Sequence, residues 1–208
     1  MLTLAFPVLI FLFLKIFTTN HYDLPYYVPM IDSVSNAVVM NEGDTVFYQL
    51  NDFSLITTSN EPLTSDQLRG KMMVLSSIRL ANVDGYDKVL GELVRINKLS
   101  ESYPELIILT LIPEKENGIK TELEKRRVVS ELWKVISVTD SSQYEYVDKI
   151  FHLSEKAGIH QTISSNNRLS LVDASGYTRG YYNALDPEDI DRLMAEIKIL
   201  DYSKNLKE

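Results

Sequence analysis

The sequence predicts an α/β fold in which one mixed β-sheet lies between two layers of helices. From residue 44 onward, short apolar runs alternate with amphipathic helical patterns, and the chain closes with a β-hairpin and a capped helix. With 208 residues and 45% hydrophobic content, it can bury one full core without disulfides or metal. Alternating βα units that end in a hairpin and a helix describe a three-layer α/β/α sandwich.

The first half of this domain contains two predicted strands and two predicted helices. Strand-like apolar pieces occupy residues 46–56, and Thr64 caps a single helical turn before Gly70. Residues 72–78 predict a strand. A longer helix follows and stops before Pro104, because the residue before a proline avoids helical backbone. Its apolar residues have helical spacing: Val89, Leu93, Ile96 and Leu99.

The second half begins with the continuous apolar run 106–112, which is typical of a strand buried on both faces. A charged helix is expected over residues 120–132, where the basic cluster 125–127 lies among glutamates and forms a solvated face. A short strand follows at residues 135–138. The next helix is expected to end near Gly158. That helix is marked by Tyr144, Val147, Ile150 and Phe151.

The C-terminal region carries the clearest local signals. Residues 169–173 alternate as a strand, residues 174–176 form a turn, and residues 178–182 return as the hairpin partner. Asp186 and Pro187 then predict a helix start. The expected buried stripe of this helix is Ile190, Leu193, Met194 and Ile197.

The N-terminus predicts a membrane anchor. Residues 1–17 are apolar apart from Thr3, Pro7 and Lys15, and as a helix they would extend about 25 Å. A cleaved signal peptide is the alternative, but it would need a basic first region and small residues at the cleavage site, and neither is present. We therefore favour an uncleaved anchor. The predicted organisation is an anchor at 1–20, an extended tether at 21–43, a folded domain at 44–201 and a polar tail at 202–208.

Composition excludes several function classes. The chain has no cysteine, which removes thiol nucleophiles, dithiol redox chemistry and thiolate-bound copper or zinc. A net charge of −8 without a basic stripe argues against a nucleic-acid surface. There is no phosphate-binding glycine motif and no G-x-S-x-G elbow. We therefore expect a protein that is not an enzyme and has no catalytic residue and no cofactor.

The loop after residue 78 nevertheless has the setting of a thiol site. A strand, a loop at residues 79–86 and an amphipathic helix follow one another there. Proteins place a redox or metal-binding dithiol at such a helix start, since the helix dipole lowers a thiol pKa. Asn82 and Tyr86 stand at the spacing of two cysteines separated by three residues.

Short motifs occur along the chain in a fixed order. Trp133 stands ahead of the loop at 139–140, and the other motifs are DLPYY at 23–27, FSL at 53–55, LRGK at 68–71, LVDASG at 171–176, RGYY at 179–182 and IKIL at 197–200. Together they resemble the SCO/SenC family, the membrane-anchored copper chaperones of cytochrome c oxidase assembly, and most closely its Bacteroidetes-type members. The resemblance implies a thioredoxin-like three-layer α/β/α sandwich with an N-terminal transmembrane helix. It also implies a bacterial inner-membrane protein, single-pass, with its soluble domain facing the periplasm.

The family binds copper through a Cys-x-x-x-Cys-Pro loop and a distant histidine. By the resemblance, the two cysteine positions fall on Asn82 and Tyr86, the proline position on Asp87, and the histidine position on Ser165. Because every ligand is replaced, the resemblance implies fold and setting without a metal site. It further implies a protein partner in respiratory oxidase assembly.

Other side chains could bind copper in place of the missing family ligands. His160, five residues before Ser165, is the candidate; Met72 and Met73 are better explained as core residues on opposite strand faces, and His152 as a surface residue. The preferred function is a non-catalytic accessory or binding role. The alternative is a copper chaperone that uses substitute ligands such as His160.

A third hypothesis is an enzyme that works without thiols. Asp84 and Asp87 flank the loop, where a general-base role is conceivable. Helix-start carboxylates more commonly cap the helix and complement its dipole. No grouping of acid, base and nucleophile is visible in the sequence, so this hypothesis ranks last.

Overall fold

The computed structural model describes residues 10, 23–77, 83–113, 121–122, 125, 131–138, 140–152 and 167–205. The helices in these ranges are α1 (Ser65–Leu68), α2 (Val83–Ser100), α3 (Ser141–Phe151) and α4 (Pro187–Asn205). The strands are β1 (Met40–Asn41), β2 (Asp44–Thr45), β3 (Ser54–Ile56), β4 (Pro62–Thr64), β5 (Met72–Ser77), β6 (Leu106–Pro113), β7 (Trp133–Val138), β8 (Arg168–Val172) and β9 (Thr178–Asn183).

Five strands form the main sheet, in the order β7-β6-β5-β8-β9. β5 runs parallel to β6, and β6 runs parallel to β7, whereas β8 and β9 are antiparallel additions on the other side of β5. The register pairs Ser76 with Thr110 on β6 and with Leu169 on β8. Two small hairpins, β1-β2 and β3-β4, lie outside this sheet.

Apolar side chains fill both faces of the sheet. On one face, residues of α2 and α4 pack over alternate residues of the strands, including Val74, Ile108 and Leu171. On the other face, α3 and the β3-β4 hairpin cover Leu75 and Leu109. Successive strand residues therefore alternate between the two cores, as the pleat requires. The α/β sandwich predicted from the sequence is confirmed.

The predicted elements of the domain are found close to their expected bounds. Thr64 precedes the single turn of α1, and its N–H donates to Gln67 Oε1 at 2.9 Å. The apolar run 106–112 forms β6, which lies inside the sheet between β5 and β7. Of the charged helix expected at 120–132, only residues 121, 122 and 125 are described as helical, and Lys125 pairs with Glu122 at 3.7 Å.

One helix end differs from the prediction. α3 ends at Phe151, seven residues before the expected Gly158. His152 adopts left-handed backbone, with φ of 49°, and this conformation stops the helix without a glycine. Histidine is among the non-glycine residues enriched in this backbone region, but such residues adopt it too rarely for the sequence alone to mark a helix end. Gly158 lies outside the described residues.

The division into anchor, tether, domain and tail stays a prediction, but part of the tether makes contacts with the domain. The N–H of Tyr27 donates to the carbonyl of Thr178 at 3.1 Å, and Val28 is buried. In the part of the chain that the structure describes, no helix is long and apolar enough to cross a membrane. Residues 1–9 and 11–22, where the anchor is predicted, lie outside that part.

Candidate functional site

The site predicted from the sequence lies where α2 begins. The helix starts at Val83, directly after Asn82, and Tyr86 falls in its first turn. Asn82 itself lies outside the described residues. The Tyr86 ring is half-buried and packs against the apolar cluster beneath α2 and α4. The position matched to the second family cysteine therefore carries a core-packing aromatic ring.

The first turns of α2 are held against the loop that follows β9. A Cβ placed on Gly85 would lie 3.2 Å from Leu185 Cδ2, so the helix approaches this loop closely. One turn later, Lys88 Nζ donates to the carbonyl of Leu185 at 2.7 Å. These contacts fix the helix start against the C-terminal part of the sheet.

A buried polar group lies near the C-terminal end of β5. Ser76 and Thr110 hydroxyls are 2.9 Å apart, and the Trp133 indole N–H donates to Thr110 Oγ1 at 2.9 Å. All three residues are buried. Buried hydroxyls need such partners, since an unsatisfied polar group costs about 1 to 3 kcal/mol. This group explains Trp133 as a structural residue that joins three strands.

The methionines considered as copper ligands belong to the core. Met72 lies in the cluster under α2 and α4, and Met73 in the cluster on the opposite face, as predicted. Both stand at the start of β5, whereas the loop follows its far end. At about 3.3 Å per residue, they are roughly 13 to 17 Å from that end of the strand. Neither residue reaches the helix start.

His152, expected at the surface, is only partly exposed. Its ring meets the Tyr48 ring edge-on, with centroids 4.1 Å apart, and its carbonyl accepts from Tyr181 Oη at 3.3 Å. The residue therefore ends α3 and packs against the Tyr48 ring. Sequence could not show this, since Tyr48 and Tyr181 are distant in the chain. His160 and Ser165 lie outside the described residues, so their placement stays a prediction.

The described residues do not fit a copper ion. They contain no group of three or more His, Cys, Asp or Glu side chains that could hold a metal. Copper prefers thiolate, thioether and imidazole donors, and the whole chain has no cysteine. The phenol ring at Tyr86 faces apolar neighbours in the core.

Sequence reasoning missed a buried charge cluster around Arg179. The guanidinium Nη1 donates to Asp173 Oδ2 at 2.8 Å, and Nε donates to the carbonyl of Pro25 at 3.1 Å. The same group pairs with Asp23 at 3.1 Å, donates to the carbonyl of Leu24 and lies over the Tyr26 ring. A lone arginine inside a strand was the available signal, because a buried arginine needs partners.

Comparison with solved structures finds the same architecture in other proteins. A SCO1/SenC family lipoprotein from Bacillus anthracis superposes with a TM-score of 0.58 at 14% identity, over 74% of this chain and 95% of that one. BsSco, from the Sco family of cytochrome c oxidase assembly proteins, gives 0.54 at 13% identity, over 73% and 92%. A thiol:disulfide interchange protein of the thioredoxin family from Chlorobium tepidum gives 0.54 at 16%, over 73% and 94%.

The chain has a thioredoxin-like fold. Its structure resembles those of SCO/SenC proteins, as the sequence motifs predicted. No family model and no curated protein matches the chain. At 13–16% sequence identity, the similarity of this chain to these structures shows a shared fold and nothing more.

Proposed function

We propose that this chain is a membrane-anchored SCO-like protein that acts without a copper or thiol site, as an accessory or binding protein in respiratory oxidase assembly. The observation that carries the proposal is the packing of Tyr86 against the core at the start of α2. In the resembling family this position holds a cysteine. In this chain, the position that matches a copper ligand of the family is occupied by Tyr86, whose ring packs against the core.

The fold and the motifs support the setting. The soluble domain is similar to SCO proteins over nearly the whole length of those chains. The apolar residues 1–17 supply the proposed anchor, with the domain on the periplasmic side of a bacterial inner membrane. A domain without redox or metal chemistry would act by binding other proteins through its surface.

The role in assembly is tested by gene deletion and complementation. We expect the deletion to lower the amount of assembled cytochrome c oxidase in membranes, and added copper not to restore it. The wild-type chain should restore the oxidase, whereas a chain truncated before residue 23 should restore less if the anchor is needed. Unchanged oxidase in the deletion strain would contradict the proposal. Rescue by copper alone would favour the copper-chaperone alternative through His160.

The anchor is tested separately by alkaline carbonate extraction. The full-length chain should remain with the membrane fraction, because an uncleaved apolar helix is not released by high pH. A soluble periplasmic product that lacks about its first 20 residues would instead indicate a cleaved signal peptide. N-terminal sequencing of the mature protein distinguishes the two results.

A further inference from the structure

The surface that stands out in the described residues is a small antiparallel unit formed by residues 28–48, here called the N-terminal β-unit. Met30 N–H donates to the Val46 carbonyl at 2.8 Å, and the Val39 N–H donates to the Met30 carbonyl at 2.8 Å. The hairpin β1-β2 forms part of the same unit. Backbone hydrogen bonds therefore define the path of the chain through the unit.

The base of this unit is anchored to the edge of the main sheet. Tyr26 stacks on Phe47 with ring centroids 5.1 Å apart, and meets Tyr177 edge-on at 5.2 Å. The Tyr48 N–H donates to the carbonyl of the buried Val28 at 2.7 Å. Arg179 lies over the Tyr26 ring. These contacts hold the base of the unit against the edge of the main sheet.

The outer part of the unit is apolar and solvent-exposed. Val34, in the turn between Asp32 and Asn36, is 92% exposed, although nothing in the turn requires a valine there. The exposed apolar side chains of the unit are Met30, Ile31, Val34, Val38 and Met40. Ile31 pairs with Val38, so Ile31, Val38 and Met40 share one face of the unit, whereas Met30 lies on the other. Large apolar side chains that are exposed together on one face mark interaction sites.

The charged side chains in the unit and in the chain on either side of it are all acidic. Residues 16–68 contain seven acidic side chains and no Lys or Arg. Asp32, Glu42 and Asp44 lie within the N-terminal β-unit and are exposed. An acidic rim around an apolar centre fits a partner of the complementary kind, since interface charges are arranged in opposite signs.

We infer that the N-terminal β-unit docks on a protein whose surface carries an apolar depression rimmed by Lys or Arg. The inference deepens the proposed function, on which it rests, by naming the surface through which the accessory protein binds its partner. Anionic lipid headgroups would repel the acidic rim. A symmetric second copy would place the same acidic unit against itself. Both are therefore disfavoured occupants.

The test uses the full chain in its native membranes, with a photo-reactive amino acid replacing Val34. A second probe replaces Tyr146, which is exposed on α3 and is not part of the unit. The Val34 probe should cross-link to a protein peptide that combines apolar residues with Lys or Arg, as mapped by mass spectrometry, and the Tyr146 probe should not. Cross-links to lipid alone, to a second copy or equally from both probes would overturn the inference.

Matched variants separate this contact from chance capture. Ile31 and Ile56 are 48% and 50% exposed, but only Ile31 belongs to the unit. Ile31→Ser should lower the Val34 cross-link about fivefold, as expected for truncating a contact worth about 1 kcal/mol, and Ile56→Ser should leave it unchanged. Glu42→Lys with Asp44→Lys should also lower it. Equal effects of the two isoleucine variants, or no effect of charge reversal, would refute the inference.

The identity of the cross-linked protein tests the proposed function independently. An oxidase subunit or oxidase assembly protein supports both proposals. A basic partner unrelated to the oxidase keeps the docking surface and refutes the role in oxidase assembly. The absence of any cross-link to protein overturns the docking surface and leaves the deletion experiment to decide the function.

Discussion

Gly180 lies under the ring of Tyr182, two residues further along the same face of β9. A Cβ added at Gly180 would stand 2.6 Å from Tyr182 Cζ and closer still to the hydroxyl. The ring cannot easily move, because Tyr182 Oη donates to Glu196 Oε2 at 2.5 Å and Arg192 lies over the ring at 4.3 Å. Burial, with the hydrogen bond to Glu196, raises the pKa of Tyr182, so the phenol stays neutral.

We therefore expect Gly180→Ala to lower the free energy of unfolding by about 1 to 3 kcal/mol, the usual cost of overpacking a filled core. Urea denaturation measures this change in the free energy of unfolding. The control is Gly91→Ala, on the exposed side of α2 with open space around it. That change should stabilise the protein by about 0.5 to 1 kcal/mol, because alanine is the better helix former. Two variants of equal stability would contradict the close approach at Gly180.

Asp32 organises the exposed turn of the N-terminal β-unit. Its Oδ1 accepts from the N–H of Ser35 at 2.7 Å, from the Ser35 hydroxyl at 2.7 Å and from the N–H of Val34 at 3.1 Å. These hydrogen bonds, the Ser35 N–H foremost, hold the pKa of Asp32 below its ordinary value. The carboxylate form is thus favoured in the folded turn.

The sign of the pH dependence follows from this lowered pKa. The turn is stabilised fully above the unfolded value of about 3.9, and the stabilisation is lost as the pH falls through the folded pKa. Carboxyl-carbon NMR titration should give a pKa for Asp32 below the ordinary range. Ser35→Ala removes the hydroxyl donor and keeps the backbone donor, so it should bring the pKa part of the way back. A pKa at or above the ordinary value would contradict these hydrogen bonds.

At the scale of elements, Arg179 joins β9 to the N-terminal segment and to the turn after β8. Its side chain is 6% exposed and that of Asp173 is 11% exposed, so the pair is buried. Asp173 Oδ1 also accepts from the N–H groups of Ser175 and Tyr177, at 2.9 and 3.0 Å, which closes the hairpin turn. One guanidinium thus links strand, turn and the segment 23–26.

Replacing Arg179 should weaken the contacts among β9, the turn after β8 and the segment 23–26. Arg179→Met leaves the Asp173 carboxylate buried without a charge partner, for which we expect a loss of about 3 to 5 kcal/mol. Limited proteolysis should also cut residues 23–28 faster. Arg95→Met is the control, because Arg95 forms its ion pair with Asp191 at an exposed site, worth about 1 kcal/mol or less. Similar losses for both arginines would refute a special role for Arg179.

At the scale of the whole molecule, the chain shares its fold with a thiol:disulfide interchange protein but has no cysteine. If residue correspondence with the SCO family is right, Asn82→Cys, Tyr86→Cys and Ser165→His place two thiolates and an imidazole around one point. The triple variant should then bind copper stoichiometrically at micromolar concentration. The wild type should bind none, and chelators should leave its melting temperature unchanged.

Folding must be checked first, because Tyr86→Cys removes a core-packing ring at a cost of about 2 to 4 kcal/mol. A folded triple variant that binds no copper would mean that the residue correspondence is wrong. Tight copper binding by the wild type, abolished by His160→Ala, would instead establish the chaperone with substitute ligands. A fall in the wild-type melting temperature with chelator would reveal a metal site outside the described residues.

The sequence by itself determined the elements, because their signals are local. The apolar run of β6, the capped start of α4 and the turn after β8 depend on residues within a few positions, and they appear where the patterns predicted. The absence of cysteine likewise excludes thiol chemistry on composition alone, whatever the fold. These inferences needed only periodicity, capping and side-chain chemistry.

Only the tertiary structure decided the contacts between distant residues. Arg179 and Asp23 are 156 positions apart, and no local pattern pairs them. Tyr48 and His152 meet because the N-terminal β-unit and the end of α3 lie on the same side of the sheet. The role of Tyr86 likewise depends on the packing of α2 against the sheet. Such contacts arise when the chain closes on itself, so burial and pairing across the fold could be read only from the folded molecule.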